Sequence, residues 1–171
     1  MDIKTALLAE HSRAQATRIA DYVGDDNERL EELLGFFIAD NYRLSQRAAW
    51  PFGICAERYP NLILPHLDGI VENLKKTVHD AVKRNTIRFL QFIDIPEHLL
   101  GEIAEICFNY LGSAKEPIAV KVFSMTVIFN IVKKEPELKP ELEFMIEEQM
   151  PYGSAGFKSR GKKILSALKK M

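Results

Sequence analysis

Apolar positions recur along this chain with a period of about 38 residues, and within each period they advance in helical steps. One column holds Leu44, Ala81, Ala119 and Phe157. Four residues on stand Ala48, Asn85, Phe123 and Gly161, then Phe52, Phe89, Val127 and Leu165, and three further on Cys55, Phe92, Asn130 and Leu168. Such steps keep side chains on one face of an α-helix, so each period is predicted to carry a helix whose buried stripe returns in constant phase. A second set of columns precedes it: Leu30, Leu67, Ile103 and Leu142, then Leu33, Ile70, Ile106 and Met145, then Leu34, Val71, Cys107 and Ile146. Each period therefore holds two helices, a unit that buries its apolar faces only by stacking on its neighbours.

The pattern predicts helix pairs at about 28–40 and 42–59, 62–76 and 79–93, 96–112 and 116–134, and 138–150 and 154–170. Leu7, Leu8, Ile19, Tyr22 and Val23 predict a shorter helical segment within residues 1–24 that caps the stack. Asp25-x-x-Glu28 and Ser113-x-x-Glu116 read as capping boxes, and Pro96 suits a first helical turn. Pro60, Pro65, Pro136 and Pro140 mark helix joints, since proline is tolerated only where no amide proton is needed. Pro51 conflicts with its surroundings, because it denies the carbonyl of Arg47 an amide donor and should kink or split the helix. No stretch alternates with strand period. The expectation is one all-α domain over 1–171, with repeats of about 25–60, 61–95, 96–135 and 136–171.

Two-helix units of this length, with proline at the joints and arginine or lysine near the start of the second helix, resemble HEAT and armadillo-type repeats over residues 25–171. That resemblance implies a right-handed α-α superhelix of HEAT-like helix pairs. It also implies an extended surface that binds a protein or peptide. Arg47-Ala48-Ala49-Trp50, Pro65-His66-Leu67-Asp68 and Ser154-Ala155-Gly156-Phe157-Lys158-Ser159-Arg160 are similar to a family of small bacterial HEAT-like proteins. Some members of that family carry the name adenylosuccinate lyase. The lyase superfamily's serine-bearing loop, S-S-x-M-P-x-K-x-N, has no counterpart here, so the resemblance transfers no catalytic residue.

Composition changes this picture little. Apolar residues make up 47 % and charged residues 27 %, and the net charge of −1 argues against wholesale binding of polyanions. The two cysteines, Cys55 and Cys107, fall on apolar helical faces, which favours a reducing, cytoplasmic compartment over a disulfide framework. The N-terminus lacks the pattern of a signal peptide, and the most apolar stretch, 122–132, is about half a membrane span.

Catalytic constellations are not recognisable. The four histidines, His11, His66, His79 and His98, are scattered, with no H-E-x-x-H and no C-x-x-C, so no metal or cofactor is expected. Cys55 shares its column with Phe92 and Leu168 and reads as a small buried hydrophobe.

Charge is more informative. Arg47, Arg84 and Arg160 share one column and Lys83 and Lys121 the column before it, so stacking would line them along the second-helix face, with Arg43, Arg88 and Lys158 beside them. Two accounts compete. Cations at the start of second helices pair by default with acids of neighbouring units, here Asp40, Asp68, Asp80 and Glu116. Alternatively they form a stripe for an anionic partner. HEAT-like DNA glycosylases of the alkylation-repair group hold duplex DNA on a basic surface of this sort, with Trp50 or Tyr42 as aromatic contacts under that resemblance. Trp50 also fits an ordinary core position. The C-terminal residues Lys158, Arg160, Lys162, Lys163, Lys169 and Lys170 follow the acidic run Glu135, Glu137, Glu141, Glu143, Glu147 and Glu148, as in a terminal cap with a polar outer face or, alternatively, a basic terminal helix that touches nucleic acid or an acidic protein. The leading expectation is a non-catalytic scaffold for a protein or peptide, with nucleic acid as the alternative partner. Oligomeric state is not encoded in these patterns.

Overall fold

The computed structural model describes residues 1–171 and contains helices and turns without a strand. The chain packs as two compact units, Met1–Phe92 and Ile93–Met171. In the first, α1 (Ile3–Ala9) and α2 (Arg13–Val23) precede α3 (Asn27–Phe37) and α4 (Tyr42–Arg58). The short α5 (Pro60–Ile63) and a 3-10 turn at Leu64–His66 then lead into α6 (Leu67–Leu74) and α7 (Asp80–Leu90). The second unit contains α8 (Leu100–Gly112), α9 (Ile118–Val132), α10 (Lys139–Gln149) and α11 (Ala155–Leu168), with 3-10 turns before α8 and α10.

Helix starts follow side-chain chemistry. Asp2, Ser12, Asp26, Asn41 and Ser154 each accept a hydrogen bond from the amide three residues on, which satisfies a donor the helix leaves orphaned. The cap of α3 is therefore Asp26, not Asp25. Ser113 ends α8 and accepts from Lys115 N, while α9 starts behind Pro117, whose fixed φ suits the entry. Pro96 precedes a 3-10 turn rather than lying in a first α-turn. The helix predicted at 62–76 is divided, because Pro65 has no amide to continue an α-ladder and the chain tightens into the 3-10 turn there. Pro51, by contrast, does not split α4, which runs unbroken from Tyr42 to Arg58. Packing against α1, α2, α3 and α7 outweighs the lost backbone bond.

The first unit's core centres on rings. Phe37 stacks on Phe52 with centroids 4.4 Å apart, and Phe52 meets Phe89 edge-on at 6.0 Å. In the second unit α9 is apolar nearly all round and packs against α8, α10 and α11, burying Val120, Met125, Val127, Ile128 and Ile131. No helix is long and apolar enough to cross a membrane.

The first-helix columns are buried throughout, except that Ile106 and Met145 are half-buried. Phe52, Phe89 and Val127 are buried, whereas Leu165 is half-buried and Ile164 takes the inward position. Phe92 is 64 % exposed because α7 ends at Leu90, and Ile93 turns inward instead.

Candidate functional site

Because α4 is surrounded on several sides, its outward strip is narrow. Arg43, Arg47 and Trp50 share it at helical spacing, Arg43 exposed and the other two half-buried. His11, in the joint between α1 and α2, meets the Trp50 ring edge-on at 6.0 Å. Its imidazole is held below the ordinary value of 6.5, first by burial and then by the charge of Arg47. His79 caps α7: its Nδ1 accepts from Ala81 N at 2.9 Å, so the ring proton sits on Nε2. The Tyr42 ring lies 4.3 Å from it. Sequence spacing did not bring His11 or His79 to this face; the fold does.

The cations singled out by sequence divide into two groups. Arg88 forks onto Glu57, with Nε 2.7 Å from Oε1 and a terminal nitrogen 3.2 Å from Oε2. Lys83 pairs with Asp80 at 3.6 Å. In the second unit Lys121 Nζ donates to Gln149 Oε1 at 2.7 Å, and Gln149 in turn donates to Leu111 O. Burial lowers the pKa of Lys121. Arg160 donates to Thr126 Oγ1, and Lys158 is half-buried beside it in sequence on α11. Arg43, Arg47 and Arg84 make no ion pair, and all three belong to the first unit.

A cavity of about 490 Å³ opens at the α3–α4 and α6–α7 joints. Phe37, Ile38 and Val82 form its apolar wall, Asn73 and Lys76 add polar groups, and Tyr42 and His79 both border it. The second unit has a cavity of about 480 Å³ at its corresponding joints, bordered by Glu116, Lys121, Glu148 and Tyr152. The repeat columns do not record either cavity, since loops build them. In the first unit the one signal in the sequence is an aromatic or imidazole group at the start of each second helix, Tyr42 and His79.

Burial pushes the Cys55 and Cys107 thiols up to about 12, so neither supplies a thiolate near neutral pH. No three His, Cys, Asp or Glu side chains gather in a metal-binding arrangement.

Helices paired around repeated apolar columns, with cations on the second helices, define a helical-repeat protein. The chain matches the HEAT repeat domain family over residues 3–168 and belongs to it. The match includes α1 and α2, ahead of the region where the sequence columns begin. No curated protein and no solved structure matches the chain.

Proposed function

We propose that this protein is a non-catalytic scaffold whose second-helix face binds a protein or peptide partner. Arg43, Arg47 and Arg84 carry the reading: charged side chains on α4 and α7 without acidic partners of their own are available to a partner's carboxylates. The HEAT repeat family supports it, since stacked helix pairs supply extended binding surfaces. The same three arginines, two of them on one helix with Trp50, favour nucleic acid as the second reading, through phosphate contacts and aromatic stacking. The free, buried thiols agree with a cytoplasmic setting.

Affinity capture from the native host, with and without nuclease, separates the two. A partner that survives nuclease and binds as a purified protein supports the scaffold; loss of all capture on nuclease treatment supports nucleic acid. Catalysis is tested separately through fumarate release from adenylosuccinate. None is expected, and turnover that follows the protein through purification and disappears with a point substitution would refute the non-catalytic reading.

A further inference from the structure

Resting on the scaffold reading above, we infer that the first unit reads its partner as an acidic peptide segment with one apolar anchor residue. The anchor enters the cavity beside Tyr42, and the acidic residues lie along Arg43, Arg47 and Arg84.

Tyr42 connects the two halves of this surface. It borders the cavity, is 72 % exposed, and stands immediately before Arg43 at the start of α4. Ile38, 38 % exposed, offers apolar wall to an incoming side chain, with Phe37 and Val82 behind it. At about 490 Å³ the cavity has room for one large apolar side chain, whose burial supplies affinity that charge alone does not. Asn73 is only 4 % exposed yet lines the same wall, so its amide can hold the anchor's backbone or a polar tip. The Nε2 proton of His79 is fixed at the rim by the bond that Nδ1 accepts.

Charge decides between partners. Arg43, Arg47 and Arg84 lack carboxylates in the folded chain, and Lys76 adds a cation at the rim. Asp40 also borders the cavity, and Asp80 and Glu57 stand on the same helices as the cations. A peptide can place separated carboxylates opposite the arginines and leave those acids unopposed. A phosphodiester backbone has a charge at every step and meets the acids as well. Nucleic-acid affinity grows with the number of phosphates neutralised and counterions released, and three unpaired arginines with Lys76 neutralise few. The second unit's cavity, where Glu116 and Glu148 outnumber the one cation Lys121, is less suited to an acidic peptide and serves as an internal control.

The test is selection of the full-length protein against a random peptide display library, followed by fluorescence anisotropy with the selected peptides and with labelled duplex DNA. The expected binders are rich in Asp and Glu around one large apolar residue. Arg43→Glu with Arg47→Glu, and separately Tyr42→Ala, should each weaken them by about tenfold or more, while Tyr152→Ala leaves them unchanged. These side chains are exposed or half-buried, and a thermal melt of each variant checks that folding is retained. Binders without acidic residues, binders equally tight on the variants, or binders lost with Tyr152→Ala would overturn the assignment of site and partner chemistry while leaving a protein scaffold standing. A library that yields no binder overturns the inference, and duplex DNA binding without any peptide binding overturns the scaffold reading with it.

Discussion

Phe89 is fully buried and closes one side of a three-ring cluster with Phe52 and Phe37, so little around it is free to collapse into a void. Phe89→Ala should cost about 3–5 kcal/mol by denaturant unfolding, and a cost near zero would mean that the ring cluster is not the core of the first unit. Gly53 tests packing in the opposite direction. A Cβ there would lie 2.8 Å from Asn85 Oδ1, and Asn85 is pinned by the bond it donates to Ala81 O. Gly53→Ala should therefore lower the melting temperature, whereas Gly35→Ala, into open space on α3, should raise stability by about 0.5–1 kcal/mol. Equal effects at the two sites would contradict the close approach of α4 and α7. His11 reports on the candidate site. Its charged form is disfavoured in the folded chain, so its contribution to stability is intact above the ordinary value of 6.5 and is lost as pH falls through its depressed folded value. Imidazole NMR should show it titrating below 6.5, and Arg47→Gln should shift it upward by removing a neighbouring positive charge. An unmoved titration would mean that the two groups do not share a surface.

At the scale of elements, the helices were legible because burial imposes a period that residue identity cannot hide. Leu30, Leu67, Ile103 and Leu142 all face inward although the loops between them differ in length. Ends were less legible. A cap depends on one backbone torsion, and Asp25 and Asp26 present the same chemistry one residue apart. Asp26→Ala should cost about 1 kcal/mol while Asp25→Ala costs little, a difference readable in thermal melts; the reverse order would restore the cap expected from sequence. The two register slips differ in origin: Phe92 lies beyond the end of α7, whereas Leu165 lies within α11 beside a stripe that runs regularly through Phe157, Gly161, Ile164 and Leu168. Pro51 shows the opposite failure, in which tertiary contacts on α4 override a strong local signal.

At the scale of the whole molecule, the repeat family was legible and the binding face only partly so. Columns placed Arg47, Arg84 and Arg160 together, but which cations are already engaged depends on side chains from other helices. Arg160 is taken up by Thr126 and Lys121 by Gln149, whereas Arg43, Arg47 and Arg84 are not engaged. His11, His79 and the cavities arise from joints whose positions no period records. Charge reversal at Arg43 and Arg47 thus tests the central claim most directly, with melting temperature and nuclease-resistant capture of the protein partner measured on the same preparation. The account predicts that capture is lost while the melting temperature moves by about 2 °C or less, since Arg43 is exposed, Arg47 only half-buried, and neither has an ion-pair partner to lose. A variant that melts well below the parent yet still captures its partner would contradict it.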